Sequence, residues 1–329
     1  MEALMNRNRN VKRKKKNKGL KIGLLVFLGL ILFIVGFGYA YVHNLLNSTN
    51  QDVISQTDED LGIKAPTAET SAEASPYYYD QVSGVTNIAL FGVDAEMGKN
   101  GRSDTIMIVT VDKNTKKIKL TSIVRDSYVN IPDRGMDKIN HAYAFGGPQL
   151  ALKTINTNFQ LDIRNFATVN FTTLPKIIDT IGGVKIKVTD SEATQIAGLS
   201  SGGTYNLTGA QALDYSRIRH IDSDFARSGR QRTVIEAIIN KMLNSSVTTY
   251  PSILGNVLPM ITTNMSSNDI LGLATTVVTN GIRTIEQNRF PEDTQAAGKM
   301  INGVYYYVFE KEPTVDAMGR YIYLDEAKK

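Results

Sequence analysis

The chain lacks cysteine altogether and carries three histidines in 329 residues, His43, His141 and His220. Without thiols there are no disulfide scaffolds, thiolate zinc sites, iron–sulfur clusters or cysteine nucleophiles. Three histidines this scattered do not make a multi-histidine metal centre, so a metal here is a hard ion held by carboxylates. A GxSxG elbow, a GxxxxGK[ST] phosphate loop and an HExxH helix are also missing. Serine-hydrolase, P-loop and zincin chemistry are thereby set aside.

Acid is scarce at one end of the chain. Nine basic residues lie between Met1 and Lys21, with Glu2 the single acid there. The net charge of +5 comes from this tail: the residues after Lys21 hold 28 basic and 31 acidic side chains. The folded part is therefore slightly acidic, and its charge does not predict a nucleic-acid binder. Ile22 to Val42 is an uncharged run of 21 residues, long enough to cross a bilayer core. A cleaved signal peptide has a shorter apolar region and an A-x-A site, which does not follow here. The positive-inside rule keeps the basic tail cytoplasmic and sends the rest of the chain outside.

Residues 43–85 are polar and without period, which predicts an extracellular stalk. Folding signals start near Thr86. Asn87–Phe91, Asp104–Val111 and Ile118–Val124 are buried-strand patterns, the last two joined by the turn DKNTKK as a hairpin. Gly146-Gly147-Pro148 introduces a helix, Ile163–Phe171 returns to strand, and Leu174–Ile181 has helical spacing up to Gly182-Gly183. Val184–Val188 alternates as a half-exposed strand, and Thr208–Ser216 and Arg227–Leu243 read as helices. Strands and helices interleave, which predicts an α/β fold over 86–325: layered α-β-α around a central mixed β-sheet, preceded by one transmembrane helix.

Four clusters carry candidate chemistry. The apolar stripe of the helix at 227–243 (Val234, Ile235, Ile238, Ile239, Met242) begins with Arg227 and Gln231, and Arg230 lies beside its polar end. A buried guanidinium needs a carboxylate or an anion, unless this first turn simply emerges into solvent. Arg217 and Arg219, two residues apart, point the same way in an extended chain and suit a phosphate or pyrophosphate. They read equally as a solvated RxR pair. Asp94 and Asp104 sit at the ends of strands expected to be neighbours, with Arg102 nearby, and two such carboxylates fit Mg²⁺. They are equally ordinary turn residues. Arg125-Asp126 follows a buried strand as an anion contact or a structural ion pair.

In order along the chain, NIALFGVD, GRSDTIMI, SIVRD, VNIPDRGMDKINHAYAFGG, VNF, IDTIGGV, LTGAQALDYSRIRH and DFARSGRQR resemble the LytR-CpsA-Psr proteins, the cell-wall glycopolymer ligases of Gram-positive bacteria. The tail, single anchor and exported domain match that family's layout. Two departures stand out: Glu96 replaces the Arg of the family's GxDxR, and Val124 the Pro of SIPRD.

The resemblance implies a phosphotransferase. Its donor is a glycopolymer (teichoic acid, capsule or similar) joined to undecaprenyl through a pyrophosphate. Its acceptor is a peptidoglycan hydroxyl, its product a phosphodiester, and undecaprenyl phosphate leaves. By resemblance, Asp94 and Asp104 hold Mg²⁺ (or Mn²⁺), and Arg102, Arg125, Arg217, Arg219, Arg227, Arg230 and Gln231 grip the pyrophosphate. Asp104, Arg125 and Arg219 act at the reacting groups, with Asp104 assisting deprotonation of the acceptor. Val234, Ile235 and Ile238 form part of the wall around the polyprenyl tail. Phosphoryl transfer needs mainly positioning and charge neutralisation, which arginines and Mg²⁺ supply. Three other functions are compatible with these residues: a membrane-anchored transcriptional attenuator, a cell-wall-binding or assembly protein with an inactive site, and a lipid-pyrophosphate hydrolase using the same site. No helix-turn-helix is legible, and no nucleic-acid partner is expected.

Overall fold

The computed structural model describes residues 50–64, 82–93, 101–170, 172–219, 221, 224–245 and 249–326. The basic tail, the apolar run 22–42, Asp94 and Glu96 lie outside the described residues. Among the described residues, no helix is long and apolar enough to cross a membrane.

The strands are β1 Asn50–Gln51, β2 Val85–Val93, β3 Ser103–Asp112, β4 Lys117–Ile123, β5 Tyr128–Ile131, β6 Gly135–Lys138, β7 Asn165–Asn170, β8 Val184–Val188, β9 Gly203–Leu207, β10 Thr262–Thr263, β11 Thr284–Phe290, β12 Ala296–Ile301 and β13 Val304–Phe309. The helices are α1 Asp58–Leu61, α2 His141–Phe159, α3 Leu174–Thr180, α4 Asp190–Ala193, α5 Gly209–Arg217, α6 Asp224–Leu243, α7 Tyr250–Val257, α8 Ser267–Thr279 and α9 Lys311–Gly319. A mixed sheet runs β1-β10-β7-β2-β3-β4-β11. Strand β3 runs antiparallel to both β2 and β4, while β7 joins β2 and β11 joins β4 in parallel.

The sequence of β3 explains why the sheet is covered on both sides. Ile106 and Ile108 turn to one face, with Phe91, Leu152, Ile155 and Phe159. Met107 and Val111 turn to the other, with Leu120 and Ile282. An unbroken apolar run is what a strand buried on both faces requires. The β3–β4 turn is closed by the Asp112 carboxylate, which accepts from the Asn114 and Thr115 amides at 2.9 and 3.2 Å. A third apolar cluster joins α3, β8, β9, α5 and the outer side of α6.

Three expectations need correction. The stalk does not extend over 50–64. There β1 pairs with β10, Thr57 caps α1, and Leu61 is fully buried in the core. A short strand and a single helical turn are too brief to show a period. The helix expected after Gly146-Gly147-Pro148 begins earlier, at His141. It is broken at the two glycines, where Gly147 has φ 61°. Arg217 is the last residue of α5 rather than part of a strand, and Ile218 after it has ψ 125°. The C-terminal residues 282–326, of which the sequence said little, supply β11 and the core side chains Phe290, Met318, Tyr321 and Ile322.

Candidate functional site

At one end of the sheet β2 and β3 lose register. Gly92 pairs with Thr105 and Val93 with Ser103, so Asp104 is the extra residue of a β-bulge. Bulges re-aim side chains. A Cβ on Gly92 would lie 2.9 Å from Thr105 Cβ, so glycine permits this close approach. The Arg125 guanidinium donates from Nη1 to Asp104 Oδ1 at 2.9 Å and from Nε to Asp126 Oδ2 at 3.3 Å. Asp126 in turn holds Lys138 Nζ at 2.7 Å. Asn140 knits the two strand ends together: its carbonyl accepts from the Ser103 amide and its amide donates to the Arg125 carbonyl. Asp104, Arg125, Asp126 and Lys138 thus form one alternating ion-pair chain. Val124, where the family has Pro, is buried and donates its amide to the Phe290 carbonyl at 2.9 Å, a bond that Pro could not make.

Helix α6 brings further arginines to that end. Arg232 and Glu236 both reach Gln287 of β11, and Arg232 also feels the charge of Arg289, two residues further on. The start of α6 therefore points towards the ends of β11 and β4, where Arg125 follows. Arg227 and Arg230 are 5% and 4% exposed. Arg230 donates to Glu192 Oε1 at 2.8 Å and to the Ile218 carbonyl at 3.1 Å. Burial raises the Glu192 carboxyl, but hydrogen bonds from Thr189 and Arg230 outweigh it and hold the group below its ordinary value. Ile218 is buried, while its neighbours Arg217 and Arg219 are exposed. Arg230 thus anchors the residue between the two exposed arginines. Gln231 is half-buried, and Arg102 is exposed just before the bulge.

The expected tail wall divides in two. Ile235 packs with Ile239 against the sheet residues Met107 and Leu120. Val234 and Ile238 pack on the opposite side, with Val184, Ile186 and Leu207. Leu90, Val109, Ile235, Leu273 and Val277 remain only partly buried, which leaves an apolar seam between the sheet, α6 and α8.

Asp104 can offer Oδ2 to a cation, since Oδ1 meets Arg125. Asp94, expected beside it, lies outside the described residues, and among those described no group of three or more His, Asp or Glu is placed to hold a metal. Arg232 and Arg289 are outside the set that the resemblance assigns to the pyrophosphate, yet they lie near one another here. Burial, and after it the charge of Arg289, lower the Arg232 guanidinium, while Arg289 holds Asp293 Oδ2 at 2.7 Å. Burial and the Asp293 carboxylate push the Tyr307 phenol up to about 12. These residues lie too far along the chain from SIVRD for any spacing to connect them.

Arginines at and near the end of a mixed sheet, with a half-buried apolar seam beside α6, characterise this α/β protein. A profile of the LytR_cpsA_psr family matches residues 42–320, and the chain belongs to that family. It is 33% identical over 323 residues, covering 95% of both chains, to the polyisoprenyl-teichoic acid–peptidoglycan teichoic acid transferase TagU of Oceanobacillus iheyensis. Against TagU of Bacillus subtilis it is 34% identical over 315 residues, covering 94% of this chain and 96% of the relative. The fold is similar, with TM-score 0.59 and 27% identity, to that of the LytR-CPS2A-psr family protein YwtF (TagT) with bound octaprenyl pyrophosphate lipid, over 76% of this chain and 94% of that one.

Proposed function

We propose that the protein moves a glycopolymer from an undecaprenyl pyrophosphate carrier to peptidoglycan. An acceptor hydroxyl oxygen attacks the polymer-side phosphorus, the P–O–P bond breaks, and undecaprenyl phosphate leaves with the bridging oxygen. The hydroxyl proton passes to a base or to solvent. The observation that supports this reading is the Asp104–Arg125 pair at the end of the sheet, with the head of α6 directed towards that end and the Arg217/Arg219 segment tied to α6 by Arg230. The relatives are named teichoic acid transferases, and a similar structure holds a polyprenyl pyrophosphate. Arginine forks neutralise the charge of a bridging pyrophosphate. The seam suits a prenyl tail, with Ile235 on its wall.

Asp104 supports a divalent cation as one ligand, and Asp94, directly after β2, is its proposed partner. Mg²⁺ or Mn²⁺ there would neutralise phosphate charge. The run 22–42 is proposed as the membrane anchor, with the basic tail cytoplasmic and the catalytic domain outside. Protease added to protoplasts should then digest residues beyond 90, and resistance until the membrane is breached would contradict this topology. The activity itself is tested by incubating the full-length protein in detergent with a lipid-linked glycopolymer and peptidoglycan. Release of undecaprenyl phosphate that depends on acceptor and on Arg219 supports the transferase. Acceptor-independent release alone would make the protein a hydrolase.

A further inference from the structure

The ion-pair chain from Asp104 continues into the surface of the β12–β13 hairpin. The Tyr307 amide donates to the Asp126 carbonyl at 2.8 Å, and Ser127 bridges to Tyr307, so the β12–β13 hairpin is sewn to the residue next to Arg125. On that hairpin Tyr305 is 44% exposed. Its ring lies across Gly298, where a Cβ would come 2.6 Å from Cε2 and 2.7 Å from the phenol oxygen. Glycine leaves room for the ring to lie there. Tyr306 packs on Tyr128 of the neighbouring hairpin, with ring centroids 4.6 Å apart. Lys138 Nζ, paired with Asp126, stands 6.0 and 5.8 Å from the rings of Tyr305 and Tyr306. On the same strand Asp137 holds His141 Nδ1 at 2.8 Å, and burial, with the Asp137 charge after it, raises the Tyr306 phenol.

An exposed tyrosine beside two half-buried ones, with charged donors and acceptors between them, marks a binding surface rather than leftover core. The interleaving decides what fits. A lipid or an apolar peptide favours a continuous aliphatic face, whereas a glycan offers C–H faces to rings and hydroxyls to the polar groups between them. Tyrosine also supplies rigid contact area at low entropic cost. Position narrows the choice further, because Arg125, Asp126 and Lys138 join this surface directly to the reacting end of the sheet.

We infer that Tyr128, Tyr305, Tyr306 and Lys138 form the acceptor subsite, a platform on which the glycan strand of peptidoglycan lies while its hydroxyl reaches the donor phosphorus. This rests on the transferase reading above. The platform sets which hydroxyl is presented, and Asp137 and His141 sit where they can hydrogen-bond the sugar.

The test uses full-length protein in detergent, with Tyr305→Ala, Tyr306→Ala, the double variant and Tyr305→Phe. Two quantities are measured: co-sedimentation with insoluble sacculi stripped of attached polymer, and the KM for each substrate in transfer. The double variant, with a melting temperature near that of the parent, should bind sacculi about tenfold more weakly. Its KM for peptidoglycan should rise by a similar factor, with a much smaller change in the KM for the lipid-linked donor, and Tyr305→Phe should restore binding. Parent-like sacculus binding and acceptor KM in a folded double variant would overturn the platform. So would weakened binding to phospholipid vesicles with sacculus binding intact. If the parent shows no transfer at all, the transferase reading fails, yet loss of sacculus binding in the variants still supports a glycan platform, and absence of sacculus binding by the parent overturns it.

Discussion

Arg230 and Glu192 form a buried ion pair at 2.8 Å that ties the head of α6 to α4, while the same guanidinium holds the Ile218 carbonyl between Arg217 and Arg219. The resemblance gave Arg230 to the pyrophosphate along with its neighbours. The geometry makes it the residue that sets the position of the exposed arginine pair. Breaking a buried pair by removing one partner costs about 3–5 kcal/mol. Arg230→Ala and Glu192→Ala should therefore lower the melting temperature markedly, as thermal unfolding will show, and should reduce transfer as a consequence.

Arg217 and Arg219 are expected to behave in the opposite way. Both are exposed, so truncation leaves no buried charge behind. Arg219→Ala should keep the parental melting temperature and lose about 2–5 kcal/mol of transition-state stabilisation, tens to thousands of fold in kcat/KM. Parental activity in Arg219→Ala would remove this residue from the site.

The proposed cation is tested separately. Asp104→Asn keeps shape but loses charge, so it weakens both the Arg125 pair and any metal. Transfer should need Mg²⁺ or Mn²⁺, vanish in EDTA and return when Mg²⁺ is added back. Full transfer in EDTA would set the metal aside and leave Asp104 as the partner of Arg125.

Much of this was legible in the sequence because it is periodic. The unbroken apolar runs of β2, β3 and β4 and the stripe of α6 describe the sheet and the helix across it. The RxR pair and the Arg at the head of that stripe raise the expectation of an anion site, though not which arginines would face it. Arg230 and Arg227 share one segment, and only the placement of Glu192, 38 residues away, shows that the first is a structural tie. Short elements were illegible for a different reason. Residues 50–64 contribute one β-ladder step and one helical turn, and a period cannot be read from so little. The bulge at Asp104 and the hairpin beside Arg125 depend on pairing across long separations, which local pattern does not encode.

Lys119 offers a stability test away from the site. It is fully buried, paired with Asp112 at 3.3 Å and Asp325 at 3.0 Å, and it donates to the Tyr321 carbonyl at 2.9 Å. Lys119→Ala should destabilise by about 3–5 kcal/mol, measurable by urea unfolding. Burial raises the Asp325 carboxyl, but Lys117 and Lys119 outweigh it and hold it below 3.8. A lowered acid stabilises the fold above its unfolded value, so this contribution is present at neutral pH and lost as pH falls through the folded value. The hydrogen bond to Asp325, and after it the one to Glu286, raise Lys117 to about 12 from 10.5, so its contribution holds below pH 10.5 and is lost as pH climbs towards 12. Asp325→Asn should flatten both arms of the stability–pH profile.

The central claim is a phosphoryl transfer from a lipid pyrophosphate to peptidoglycan. It is tested most directly by digesting the product of full-length protein, lipid-linked glycopolymer and peptidoglycan, and identifying the linkage by mass spectrometry. The account predicts a phosphodiester between the polymer and a muramic acid hydroxyl, formed with one undecaprenyl phosphate released per link and absent with Arg219→Ala. Polymer recovered free in solution, or linkage that persists unchanged in Arg219→Ala, would contradict it.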